Sequence, residues 1–130
     1  MAYSRLYTLA FNLSAWRGAA SIENLAELHE LDLSHNRLSG NLRIPTSPQL
    51  HSVDLSANRL EGTVPERSLS YASHLTRVNL SQNRLTGPID SFVFGLADPA
   101  HCAELNLASN HFDGEIPSRL AIFQRAKITL

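Results

Sequence analysis

Four ten-residue blocks in this chain align without a gap, and that repetition limits the fold more than any other feature. They are LDLSHNRLSG from Leu31, VDLSANRLEG from Val53, VNLSQNRLTG from Val78 and LNLASNHFDG from Leu105, with starts 22, 25 and 27 residues apart. In every copy the first and third positions are aliphatic, the sixth is Asn, the eighth is Leu or Phe and the tenth is Gly. A unit of this length cannot bury its apolar side alone, so successive copies must stack and share one core.

Each position has a physical reason. The pairs Leu31/Leu33, Val53/Leu55, Val78/Leu80 and Leu105/Leu107 alternate with polar residues, the period of a short strand with one buried face. Leu28, Leu50, Leu75 and Cys102 stand three residues earlier and extend the same core. Asn36, Asn58, Asn83 and Asn110 follow each strand where the chain turns inward, and a carboxamide there has the donors and the acceptor to satisfy backbone groups of the turn and of the neighbouring coil. Gly40, Gly62, Gly87 and Gly114 suit a close approach or a positive φ. Proline soon after the glycine (Pro45, Pro65, Pro88, Pro117) breaks regular structure and favours a turn-rich outer side. Short helical turns are expected near Arg67 to Tyr71 and Ser91 to Leu96.

The expected fold is an α/β solenoid: a right-handed superhelix with a short parallel sheet on its concave face and a 3-10 and turn-rich convex face. A length of 130 residues fits one domain, and a net charge of −1 gives no general affinity for nucleic acid or for an anionic membrane. No apolar run approaches the roughly 18 to 20 residues of a membrane span. Asn12 and Ser14 interrupt the apolar stretch behind Arg5, so the N-terminus reads as an amphipathic helix rather than a signal peptide. The one cysteine, Cys102, allows no internal disulfide and reads as a buried core thiol compatible with a reducing compartment.

The pattern LxxLxLxxNxLxGxIP, carried from about Ile22 to Leu120, resembles the plant-specific leucine-rich repeats of receptor-kinase ectodomains, receptor-like proteins and polygalacturonase-inhibiting proteins. The resemblance extends upstream. Leu6 to Phe11 is similar to the helix that opens such ectodomains, and Ser14-Ala15-Trp16-Arg17-Gly18-Ala19-Ala20-Ser21 has the spacing of their disulfide-stapled cap, with serine at both cysteine positions. It implies an N-terminal capping helix and cap remnant over 1–24, repeats over 25–49, 50–74 and 75–101, and a fourth over 102–130 that includes the start of a fifth strand at Ile128-Thr129-Leu130. It implies extracellular, recognition or defence-related protein or peptide binding without catalysis. The missing cap cysteines leave a cytoplasmic location open. Inhibition of a cell-wall-degrading enzyme, or a structural solenoid associating through uncapped ends, are the competing readings.

The candidate binding residues are the outward ones beside the strand leucines. One column runs Glu30, Ser52, Arg77, Glu104, the next Asp32, Asp54, Asn79, Asn106. Further columns are Ser34, Ser56, Ser81, Ala108 and His35, Ala57, Gln82, Ser109. Neighbouring coils about 4.8 Å apart turn each column into a ladder. Reversing the charges of Asp54 and Arg77 together is expected to abolish binding at little cost in melting temperature. Arg37, Arg59, Arg84 and His111 form a further column, a candidate anion-binding rim or simply a solvated edge. His29 and His51 occupy equivalent sites but are too few for zinc and read as surface histidines. Asn12-Leu13-Ser14 and Asn79-Leu80-Ser81 fit the N-glycosylation pattern. No phosphate-binding loop, nucleophile elbow or metal-ligand cluster is legible, and no cofactor is implied.

Overall fold

The structure is a computed structural model that describes residues 7–8, 28–42, 44, 47–64, 69, 72–89, 102–116, 118 and 127–130. Strands run along them in the order β1 (Tyr7–Thr8), β2 (Glu30–Asp32), β3 (Ser39–Asn41), β4 (Ser52–Asp54), β5 (Arg59–Thr63), β6 (Arg77–Asn79), β7 (Arg84–Pro88), β8 (Glu104–Asn106), β9 (His111–Asp113) and β10 (Lys127–Thr129). Each repeat thus contributes two strands separated by a bend. The first strands form a parallel six-stranded sheet ordered β1-β2-β4-β6-β8-β10, and the second strands a parallel four-stranded sheet ordered β3-β5-β7-β9.

The core lies between these sheets. Leu31, Val53, Val78 and Leu105 at the centre of their strands are buried, as are Leu33, Leu55, Leu80 and Leu107 two residues on. Leu28, Leu50, Leu75 and Cys102 extend the layer at one end, and Leu38, Leu60 and Leu85 close it from the second sheet. At about 1.5 to 3 kcal/mol for each fully buried leucine, this stacked layer is the main force holding the coils in register. Burial alternates with exposure along β5 and β7, which keeps the four-stranded sheet wet on its outer side.

The bends are built on residues whose backbone takes an unusual form. His35, Ala57, Gln82 and Ser109, the fifth position of each block, have φ between 54° and 57°. Their amides are used regardless: His35 donates to the Ser56 carbonyl, Ala57 to Ser81 and Gln82 to Ala108. The block glycines have φ between 79° and 89°. Two of them also lack the space for a side chain: a Cβ on Gly62 would stand 2.7 Å from Asn41 Oδ1, and one on Gly87 would stand 2.8 Å from Thr63 Cγ2.

Several expectations need correction. The segment read as a helix from Leu6 to Phe11 has Tyr7 and Thr8 in a strand, paired in parallel with Leu31 and Asp32. The free edge of β2 offers unpaired backbone groups, and an extended Tyr-Thr pair satisfies them better than a helical turn can. The remaining positions of that segment, the Ser14 to Ser21 cap and Asn12 lie outside the described residues, as do the expected helical turns apart from Leu69. Block positions seven to ten, whose pattern suggests only an edge and a turn, form the four-stranded sheet. Pro88 ends β7, where its missing amide hydrogen costs least. No helix among the described residues is long and apolar enough to cross a membrane.

Candidate functional site

The six-stranded sheet pairs equivalent residues directly: Glu30 with Ser52, Ser52 with Arg77, Arg77 with Glu104, and Glu104 with Lys127. The second column is likewise in register, Asp32 with Asp54, Asp54 with Asn79, Asn79 with Asn106 and Asn106 with Thr129. These side chains alternate with the buried leucines, so they stand on the face turned away from the core.

The second column is bound up with its own turns. Asp54 Oδ1 accepts from the Ser56 amide at 3.0 Å and from the Ser56 hydroxyl at 2.6 Å. Asp32 does the same for Ser34, and Asn79 for Ser81. Asn106 holds only the Ala108 amide, since alanine brings no hydroxyl. One oxygen of each residue therefore shapes the bend, and what remains for a ligand is the second oxygen or the amide nitrogen. At Asp54 that second oxygen is also engaged, by Asn79 Nδ2 at 3.3 Å and by an Arg77 nitrogen at 3.5 Å.

Arg77 is the hub of the first column. Its Nε donates to Glu104 Oε2 at 3.1 Å on one side while its terminal nitrogen reaches Asp54 on the other, so one guanidinium spans three coils. At the end of the face nearer β1, His51 Nε2 lies 3.1 Å from Glu30 Oε1, and the His51 ring stands 6.0 Å from that of His29. Ser52 sits between the two clusters. The face is thus a belt of preset charges and amides, acid-rich beside β2 and mixed beside β6 and β8. Among the described residues no group of three or more histidines, cysteines or acids is placed to hold a metal ion.

The asparagines face inward instead. Asn58 Nδ2 donates to the carbonyls of Leu33, Leu55 and Ser56, while its Oδ1 accepts from the Leu38 amide. Asn83 and Asn110 repeat the pattern one and two coils on, and Asn36 Nδ2 serves the carbonyls of Leu33 and Ser34.

The basic column does not form as a column. Strands of the four-stranded sheet pair two residues out of step: Arg59 stands opposite Ser39, Arg84 opposite Glu61 and His111 opposite Thr86. Successive basic residues are therefore displaced along the strand as well as across it, roughly 8 Å apart at Cα. The reason is steric. Asn41 overhangs Gly62 and Thr63 overhangs Gly87, so each glycine lies under the residue that follows the previous glycine. Glu61 beside Arg84 replaces like-charge opposition by an opposite-charge pair. Arg37 is exposed in the bend before β3 and belongs to neither sheet.

Similarity to known proteins agrees with this geometry. The family model described as Leucine Rich Repeat matches residues 27–47, 74–96 and 101–122, together about half of the chain. None of the curated proteins matches it. Among solved structures, the leucine-rich-repeat ectodomain of the receptor kinase SOBIR1 from Arabidopsis thaliana is similar at 31% identity and a TM-score of 0.69, over 83% of this chain and 57% of that one. The BIR3–SERK2 complex from Arabidopsis thaliana is similar at 34% identity and a TM-score of 0.65, over 78% of this chain and 53% of that one. The plant peptide hormone receptor RGFR1, solved in complex with RGF2, is similar at 32% identity and a TM-score of 0.65, over 79% of this chain and 16% of that one. The chain spans little more than half of the length of the first of these. With two parallel sheets, an asparagine ladder and a matching family model, the chain belongs to the leucine-rich-repeat family.

Proposed function

We propose that this chain is a non-catalytic recognition module that seats a peptide or protein segment across the outward face of its six-stranded sheet. The observation that carries this reading is the preset belt of Asp54, Arg77, Asn79 and Glu104, whose side chains are held by one another before any ligand arrives. Groups fixed in this way lose little conformational freedom on binding, so a modest number of contacts suffices. RGFR1 with RGF2 and BIR3 with SERK2 are precedents for peptide and protein partners on similar solenoids. The ectodomain of SOBIR1 favours an extracellular setting. Glu30, Asp32, Ser52, Asn79 and Asn106 are proposed to contribute contacts around the central arginine, with Arg37, Arg59, Arg84 and His111 outside the contact area. If Asn79 carries a glycan, that glycan covers the same centre.

Panning a phage-displayed random peptide library against the folded chain tests this reading. Ser52→Arg and Glu104→Arg alter the face at half-buried, outward positions. Each is expected to weaken the selected peptides at least about tenfold, equivalent to about 1.4 kcal/mol. Arg59→Glu, on the other sheet, is expected to leave them unaffected. Peptides that bind both face variants with full affinity would overturn the assignment.

A further inference from the structure

We infer that the segment seated on the six-stranded sheet is an extended peptide without acidic side chains, its backbone carbonyl oxygens against Arg77 and a basic side chain over β2; this rests on the reading of that face as the ligand-binding one. A half-exposed arginine in the middle of a sheet suggests a receptor for an anion. The surroundings of Arg77 oppose that. The outward positions of β2, β4, β6 and β8 carry Glu30, Asp32, Asp54 and Glu104 against Arg77, and Lys127 on β10 adds one cation at the far edge. Arg77 is already shared between two of these carboxylates, Glu104 at 3.1 Å and Asp54 at 3.5 Å. A ligand carboxylate placed on Arg77 meets two negative charges for one positive, a like-charge juxtaposition that selects against it.

What the guanidinium retains is hydrogen-bond donors. Its Nε hydrogen and one terminal hydrogen go to the two carboxylates, and among the described residues no other acceptor takes the remaining ones. The nearby carboxamides are spent in the same sense. Asn79 Oδ1 accepts from the amide and the hydroxyl of Ser81, and Asn106 Oδ1 accepts from the Ala108 amide. Asn79 Nδ2 gives one hydrogen to Asp54, and Asn106 Nδ2 gives none among the described residues. The patch thus offers N–H groups within negative surroundings. An uncharged acceptor suits it, and the carbonyl of a peptide bond is one.

Toward β2 the balance changes. Asp32 stands opposite Asp54 in the register, yet its Oδ1 serves Ser34 and no ion pair reaches it among the described residues. Asp54 is compensated by Arg77 of the next coil; the equivalent residue one coil beyond Asp32 is Ser52, which carries no charge. Glu30 has the His51 ring as its partner, at 3.1 Å. A lysine or arginine of the ligand supplies the cation that Ser52 does not. Strands β2 and β6 lie two spacings apart, about 10 Å, or about three residues of extended chain. The basic side chain therefore belongs about three residues from the carbonyls held at Arg77.

Peptides panned from a random phage-displayed library against the folded chain supply the probes. Those weakened by Ser52→Arg and Glu104→Arg are expected to contain lysine or arginine and to lack aspartate and glutamate. Replacing their basic residue by alanine should weaken binding to the unaltered chain about fivefold, as expected for half-exposed charges. The same replacement should change nothing on the double variant Glu30→Gln with Asp32→Asn. That variant keeps its fold, since asparagine at 32 can hold Ser34 as Asn79 holds Ser81. Glu104→Gln removes one of the two charges on Arg77, so a fresh selection against it should admit acidic peptides. Face-binding peptides rich in aspartate or glutamate, or an equal loss with both proteins on alanine replacement, would overturn the inference and leave the face as the ligand site. Selected peptides that all ignore Ser52→Arg and Glu104→Arg would remove the reading of the face, and this inference with it.

Discussion

Asn58 Oδ1 takes the amide hydrogen of Leu38 at 3.0 Å, across the boundary between the first and second coils. Its Nδ2 reaches back over the same boundary to the Leu33 carbonyl at 2.9 Å. The buried side chain therefore supplies an acceptor and a donor to groups that no strand pairing serves. Asn58→Ala strands the Leu38 amide, whereas the Leu33 carbonyl keeps its bond from Asn36 Nδ2, so the loss should be about 1 to 3 kcal/mol, the usual range for one unsatisfied buried group. Asn58→Asp keeps the acceptor for the Leu38 amide but turns a buried charged oxygen on the carbonyls of Leu33, Leu55 and Ser56, and should be no better. Urea unfolding measures both; a loss below about 0.5 kcal/mol for Asn58→Ala would mean that water replaces the carboxamide.

Arg77 and Asp54 touch, yet they should respond differently to substitution. The Arg77 side chain is 46% exposed, so its ion pairs are screened, and Arg77→Gln should cost less than about 1 kcal/mol. Asp54 is buried and holds both the amide and the hydroxyl of Ser56, so Asp54→Ala should cost about 1 to 3 kcal/mol. Asp54→Asn keeps the acceptor, as Asn79 does for Ser81, and should be mild. Reversing the charge at Asp54 is consequently no neutral probe of binding, contrary to the expectation from sequence; Arg77→Glu is the cleaner one. Thermal melts of the single variants separate these cases.

Gly40 and Gly87 share a φ of 89° but not a neighbourhood. A Cβ on Gly40 meets nothing within 4 Å, whereas on Gly87 it meets the branched side chain of Thr63. Both alanine variants bear the same dihedral penalty, so the difference between them isolates the overhang. Gly87→Ala should be less stable than Gly40→Ala by about 1 to 3 kcal/mol, the usual range for overpacking. Equal losses in denaturant would show that dihedral strain alone explains the glycine.

Burial pushes the Cys102 thiol above its ordinary value of 9.0, outweighing a backbone hydrogen bond of Glu104 that favours the thiolate, and the charge of Glu104 raises it further. A raised value keeps the folded thiol protonated while the unfolded one ionises. The contribution to stability is thus complete below the ordinary thiol value and fades as pH rises past it. Cys102 should react with an aromatic disulfide reagent only as fast as the protein opens. Fast reaction in native buffer would contradict its placement in the core.

The repeat made the leucine layer, the paired strands and the two outward columns legible, because a period of two and a conserved Asn-Gly spacing have few structural solutions. The second sheet is hidden because its strands are mostly polar, with a single leucine in β5 and β7, a phenylalanine in β9 and no large apolar residue in β3. Its two-residue offset depends on contacts such as Thr63 on Gly87, which no single coil reveals. The positive φ at Ala57 and Gln82 carried no warning either, since neither residue type favours that region. The double role of Asp54 is not legible, because a turn-capping carboxylate and a ligand-binding one look alike in sequence.

Amide chemical-shift mapping with a peptide selected against the chain tests most directly whether the six-stranded sheet is the binding face. Perturbations are expected to cluster at Ser52, Arg77, Asn79 and Glu104 and to spare Arg59, Glu61 and Arg84. Shifts confined to the four-stranded sheet, or spread without pattern over both, would contradict it.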